Sequence, residues 1–387
     1  MYSFKSYFYE SVTDESKLTH LEHLEDHVIN AGSEGFHHAV NNLVQTHNLL
    51  TGKKSNASIS TKYDGSPSII AGHNPENGKF FVASKSVFNK NPKLNYTIED
   101  IAKNHGHAPG LVSKLSHALK YLPKVIPPGK VYQGDLMYSK DDGDVQETKD
   151  SYHFKPNTIT YSVKKNNPEA NKIKKAKLGV AFHTAYSGPS LDNMKAEYNA
   201  DTGHLKANDN VHIINTKFDH TAATLTPKAN EEYNKHFSAA IAEHNKLQNY
   251  GHQNGHEDRM KEYINQTVKD ESTPNTNDYK KYLKSWHSKQ IDKVKTQVAK
   301  QRKTNEMNSV LNHVDTHKSH FDSSFKIHHH LQKAKDILTH SMAAADFDYN
   351  HSINGKAAKP EGFVVAINNR PTKFVDREEF SKANFQR

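Results

Sequence analysis

The segment Thr61-Lys62-Tyr63-Asp64-Gly65 sets a lysine at the end of an alternating stretch, followed by an acid and a glycine turn. A lysine amine attacks only when unprotonated, so a nucleophilic lysine needs burial or a nearby cation to lower its pKa. Asp64 could help place a hydrated metal, and Gly65 lets the backbone turn close to a ligand. Alone, Lys-x-Asp-Gly is also a hairpin turn bearing a surface lysine. Its companions follow in order. Ser84-Lys85-Ser86 closes the next strand, and Tyr132-Gln133-Gly134-Asp135-Leu136-Met137 puts a carboxylate on an otherwise apolar strand. Val180-Ala181-Phe182, Pro360-Glu361-Gly362-Phe363-Val364-Val365 and Lys373-Phe374-Val375 complete the series. Plainer readings exist for each: Phe182 as core, Asp135 as a turn or edge residue, Glu361 as a surface acid, Lys85 as a solvated lysine.

In this order the segments resemble the motifs of the covalent nucleotidyltransferase superfamily, which contains ATP-dependent DNA ligases, RNA ligases and mRNA capping enzymes. The resemblance covers residues 55–190 and 358–380, closely at Lys62 and Glu361 and loosely elsewhere. It implies that Lys62 becomes nucleotidylated and that Lys85 stands where an arginine usually handles phosphate or ribose. Asp135 is then the acid on the ribose or metal, Phe182 the aromatic stacked on the base, Glu361 a metal-binding glutamate, and Lys373 a contact to the α-phosphate. Asp64 and Gly65 join the nucleotide-binding set, with Glu361, Asp135 and Asp64 as the ligands of Mg²⁺. The family offers two lysines at alternate positions here. Pro371 and Val375 flank Lys373 instead, and Arg370 is expected to supply the missing charge.

Few residues follow this last segment, which leaves no room for the C-terminal OB domain of DNA ligases and capping enzymes. The implied activity is therefore a phage-type, RNA ligase-like enzyme. It would seal 3′-OH and 5′-phosphate ends through a lysyl-AMP intermediate, using ATP and Mg²⁺, on RNA or RNA-containing strands. A DNA nick ligase and a non-catalytic nucleic-acid-binding protein on the same scaffold are the alternatives.

The elements that must position these residues read as an α+β chain. Leu18, Leu21 and Val28, then Phe36, Val40, Leu43 and Val44, recur at helical spacing over residues 16–52, with a break around Gly32. From Ala57 the period becomes two, that of a half-buried strand. Further strands are predicted at Lys79–Ser84, Val131–Tyr138, Thr158–Val163, Leu178–Tyr186, Val211–Thr216, Gly362–Ile367 and Lys373–Val375, and helices at 97–105 and 109–122. Residues 225–345, rich in Lys, His, Asn, Gln and Glu, read as four or five polar helices with a loop at Ser272–Asn277. The expected organisation is an N-terminal helical segment (1–54), a nucleotidyltransferase core of antiparallel, ATP-grasp-like sheets (55–224 and 346–387), and a basic helical insertion (225–345).

Lys and Arg number 52 against 43 Asp and Glu, a formal charge of +9 that favours a polyanionic partner such as nucleic-acid ends or nicks. Lys172, Lys174, Lys175 and Lys177 are candidate phosphate contacts, as is the basic insertion. The absence of cysteine excludes disulfides, thiolate zinc sites and cysteine catalysis. No apolar run approaches the roughly 20 residues of a membrane span. A monomeric cytoplasmic protein is expected, in the host cytoplasm if phage-encoded, with no membrane partner.

Overall fold

The computed structural model describes residues 21–89, 91–247 and 255–381. The expected helical start at 16–20 and the last residues of the expected final segment, 382–387, lie outside them. In chain order come α1 (Asp26–Leu50), β1 (Ala57–Lys62), β2 (Ser68–His73), β3 (Phe80–Ala83), α2 (Ile98–His105) and α3 (Pro109–Tyr121). Then follow β4 (Val131–Ser139), β5 (Val145–Glu147), β6 (Ser151–Phe154), β7 (Thr160–Lys164), α4 (Pro168–Lys175), β8 (Leu178–Ser187), β9 (Lys195–Tyr198) and β10 (Val211–Ile213). Helices α5 (Pro227–Asn245), α6 (Glu257–Lys269), α7 (Thr276–Asp292), α8 (Gln297–Thr316) and α9 (Lys318–Ala343) run in succession. The chain closes with β11 (Asn350–Ile353), β12 (Lys356–Ala358), β13 (Gly362–Ile367) and β14 (Arg370–Phe374). The fold is mixed α+β.

Two compact units divide the chain, one of Asp64–Thr216 and one of Glu22–Tyr63 with Lys217 onward. This differs from the expected domains. β1, β13 and β14 sit in one unit with the helices because they share an apolar core with α1, α5 and α9.

In the first unit, strands pair in the order β3–β2–β4–β8–β10, with β9 also on β8. All pairs are antiparallel except β10 with β8. Tyr132 and Leu136 of β4 and Val180 and Phe182 of β8 bury against Ile101 of α2 and Leu115 and Ala118 of α3. The other face buries Ile70, Phe81, Val131 and Tyr186. A sheet covered on both faces reads as continuous apolar runs, which is why β2 shows no alternation to find. β5, β6 and β7 form a separate antiparallel meander.

In the second unit, β1–β13–β14 is a three-stranded antiparallel sheet. Ile59, Phe363, Val365, Ile367 and Phe374 point to one face and join the core with Leu43 of α1 and Leu331 and Leu338 of α9. Each such side chain contributes about 1.5–3 kcal/mol when fully buried. α1 is interrupted at Ala31–Gly32, whose backbone is not helical, which is where the sequence reading breaks it in two. Thr226, Asn275 and Thr296 cap α5, α7 and α8 by accepting from backbone N–H groups three residues on. Asn275 thereby turns the end of the expected 272–277 loop into the first turn of α7.

Candidate functional site

β1 ends at Lys62, whose cross-strand partner is Gly362, the first residue of β13. A Cβ on Gly362 would stand 2.5 Å from the Phe374 carbonyl oxygen, so only glycine lets β13 and β14 close here. Glycine also leaves the space beside Lys62 without a side chain. The Lys62 Nζ crosses it and donates to Oε2 of Glu361 at 2.6 Å. Both side chains keep partial access to solvent, at 27 % and 15 %.

Strand register identifies what else shares this face. Side chains directly opposite one another in an antiparallel pair point the same way. Ser60 faces Val364, and Val364 faces Lys373. On the free edge of β1, Ser60 is bridged antiparallel by Lys217, and Phe218 N–H donates to the Ile59 carbonyl. The row Lys217–Ser60–Val364–Lys373 therefore lies one pair inward from Lys62. Lys373 is fixed from the outer edge: its N–H donates to Glu22 O at 2.9 Å, and its carbonyl accepts from Leu24 N–H. Three lysines and one glutamate share the face.

Lys217 was missed by sequence reasoning, because only a long-range bridge brings it to β1. Arg370 does not take the role expected of it. Asn368 and Asn369, at φ 50° and 61°, form the two-residue turn between β13 and β14, and Arg370 follows it opposite Ile367. It thus sits at the far end of β13 from Lys62 and on the core-directed face. Its charge acts near α1, helping burial to hold His38 down at about 3.

The remaining candidates lie in the first unit. Asp64 anchors a loop. Its carboxylate accepts from Asn157 Nδ2 at 2.7 Å, Thr158 N–H at 2.6 Å and Ile159 N–H at 2.9 Å. These three donors engage both oxygens and hold Asp64 against the 157–159 loop. Gly65 presses its backbone onto β4, where a Cβ would fall 2.5 Å from the Asp135 Cβ. Asp135 is the one residue of β4 that is not buried. Its Oδ2 lies 3.8 Å from Nε2 of His183, a neighbour with no sequence signal. Phe182 is core: fully buried, on the face opposite Asp135, with its ring 5.5 Å from that of Tyr132. It cannot stack on a base.

Lys85 stands exposed at the start of a short turn after β3. Lys172, Lys174, Lys175 and Lys177 are exposed on and after α4, but acids accompany three of them. Lys172 meets Glu169 at 2.6 Å, Lys175 meets Asp209 at 3.6 Å, and Lys177 meets Asp141 at 3.6 Å.

Two groups of three potential metal ligands occur among the described residues, Glu25–Asp26–His328 and His340–Asp376–Glu379. The first is already neutralised. Lys335 lies 3.0 Å from Glu25, and Arg377 lies 2.7 Å from Asp26. Neither group contains a residue expected to bind Mg²⁺.

What fold and site define together is an α+β protein with a half-exposed lysine–glutamate centre on a small antiparallel sheet. The chain belongs to a family of unknown function, DUF6267, which it matches over residues 18–387. No curated protein and no solved structure matches it. Among the described residues, no helix is long and apolar enough to cross a membrane.

Proposed function

We propose that this chain is an ATP-dependent nucleotidyltransferase of the polynucleotide-ligase type, joining RNA or RNA-containing strands, with Lys62 as the covalent acceptor. The reading is carried by the Lys62–Glu361 contact of 2.6 Å on a face shared with Lys217 and Lys373. Glu361 is placed to take the ammonium proton of Lys62 and so expose the amine lone pair. The Nζ–Pα bond forms as the bond from Pα to the pyrophosphate oxygen breaks, and pyrophosphate leaves. Lys373 and Lys217 offset the charge that builds on the phosphoryl oxygens, the electrostatic strategy of phosphoryl transfer. A 5′-phosphate oxygen then displaces Lys62 from the adenylyl phosphorus. A 3′-hydroxyl finally attacks that 5′-phosphate and expels AMP.

Glu361 offers a part-exposed carboxylate oxygen of the kind Mg²⁺ prefers. Bound there, the ion would screen the triphosphate. The test is incubation with α-labelled ATP or GTP and magnesium, followed by a denaturing gel. A labelled band from ATP that is absent in Lys62→Ala supports the reading, and no band with either nucleotide overturns it. Matched RNA, DNA and hybrid nicks then name the strand chemistry.

A further inference from the structure

The second unit carries a basic surface that the lysine–glutamate centre does not use. Between residues 289 and 303 the sequence places six cations, Lys289, Lys293, Lys295, Lys300, Arg302 and Lys303, against the single acid Asp292. These residues form the end of α7, the turn after it and the first turns of α8. None of the six has a carboxylate within ion-pairing distance among the described residues. The ion pairs of these helices lie elsewhere, at Lys280–Asp315 and Lys281–Asp278. The lysines on and just after α4 differ in this respect, since acids accompany three of the four.

A second observation adjoins the first. Tyr282, Trp286, Lys289 and Lys293 recur at i, i+4, i+7 and i+11 and so form one stripe along α7. The first three line a cleft of about 570 Å³ between α6 and α7, together with Tyr263 and Gln266. Arg259 holds the Trp286 ring from a distance of 4.5 Å, which fixes an aromatic face at a partly open site. The acids of the cleft are engaged: Asp278 accepts from Lys281 and Asn275, and Asp270 accepts from Gln266. A cleft with aromatic walls that leads into a run of unneutralised cations suits a polyanion with flat, stackable groups. Acidic peptides offer the charge without the rings, and lipid headgroups lack both the rings and the extended backbone.

We infer that the α6–α7 cleft and the α7–α8 turn form a binding site for single-stranded polynucleotide, with a base against Trp286 and Tyr282 and the backbone along Lys289 to Lys303. The inference rests on the ligase reading for its purpose, because an end-joining enzyme must hold a strand beyond the reacting phosphate. Its physical basis is independent of that reading. Stacking gives affinity that tolerates any base, and cations that neutralise phosphates give affinity that falls with salt.

Trp286 is the chain's one tryptophan, so its fluorescence reports on the cleft without a label. Titration of the full chain with a single-stranded 20-mer RNA should quench it. Six phosphate contacts predict a slope of log K against log salt near −4. Lys293→Glu/Lys295→Glu/Lys300→Glu should weaken binding at least 10-fold at low salt and flatten the slope by about 2. Trp286→Ala, read by anisotropy of a labelled 20-mer, should weaken binding about 10-fold with the slope unchanged, and Trp286→Phe should restore most of it. Melting curves of every variant confirm folding, and the exposed lysine variants serve if Trp286→Ala does not fold.

Self-labelling at Lys62 should survive in the lysine variants. If the wild-type chain labels but the variants bind RNA as it does, the inference is overturned and the ligase reading stands. If no chain labels yet the lysine variants lose RNA, the inference stands and the ligase reading falls. Binding of polyglutamate or anionic vesicles in place of RNA overturns the inference.

Discussion

Lys62 and Lys335 belong to the same unit, and each meets a glutamate, Glu361 at 2.6 Å and Glu25 at 3.0 Å. Their surroundings are opposite. Lys335 and Glu25 are wholly buried, and Lys335 also reaches Asp336 at 3.2 Å and donates to the Val375 carbonyl at 2.8 Å. Burial opposes the Lys335 charge, but Asp336 and Glu25 outweigh it and raise its pKa above the ordinary lysine value. Such a proton is not available for chemistry. Lys62 meets Glu361 on a sheet face with access to solvent. One ion pair locks α1, α9 and the segment after β14 together, and the other stays partly open to solvent. Proximity of opposite charges does not by itself mark a reactive lysine; access to solvent is what separates these two pairs.

The contrast breaks most plainly at Lys62. Lys62→Ala should abolish nucleotide labelling, yet it should cost no more than about 1 kcal/mol in urea unfolding, as part-exposed ion pairs do. Lys335→Met should do the reverse. It leaves Glu25 and Asp336 buried without their cation and should cost about 3–5 kcal/mol in the same unfolding experiment. Any labelling it retains should depend only on the fraction folded.

Acid should separate the two pairs again. Burial holds His23 and His38 down at about 3 and His351 at about 4, against 6.5 in the unfolded chain. The unfolded state therefore takes up protons that the folded state refuses, and stability present above pH 6.5 is lost as pH falls toward 4. Glu25 is held at about 2, with burial opposing and Lys335 dominating, so the loss continues below pH 4.5. Asp336 runs the other way. Burial lifts it to about 6, so its contribution is present at low pH and lost as pH rises through 6. The histidines outnumber it, and the melting temperature should fall by at least about 10 °C between pH 7 and 4.5. A flat profile would contradict the buried-histidine account.

Smaller effects sharpen the open pair. Lys217→Ala should slow labelling about 100-fold, the scale of losing one electrostatic contact in a transfer step. Arg370→Ala, at the far end of β13, should leave the rate unchanged, and a large loss there would refute the register argument.

Residues adjacent along the chain were legible, and residues joined by folding were not. Alternation at Ser58–Lys62 located β1 and showed which residues share a face with Lys62. Lys62 and Glu361 were both singled out through the resemblance, but as nucleophile and metal ligand; their direct contact was not legible. Phe182 misled because β8 is buried on both faces, so an aromatic on it carries no sign of direction. Arg370 misled because proximity to Lys373 along a strand says nothing of face or end. Asp64 looked like a ligand because nothing local announces the three N–H groups of residues 157–159 that occupy it. Helix content between 227 and 343 followed from composition, but the α7 start depended on whether Asn275 would turn and cap.

The pairing of β1 with β13 brings Lys62 to Glu361, 299 positions away. At a synthesis rate of 5–20 residues per second, Lys62 leaves the ribosome roughly 15 to 60 s before Glu361 exists. A nascent chain, or one cut short anywhere before β13, carries the lysine without the carboxylate that would deprotonate it. On the proposed reading, nucleotide would be taken up only once synthesis has passed Glu361, and shorter fragments would not label.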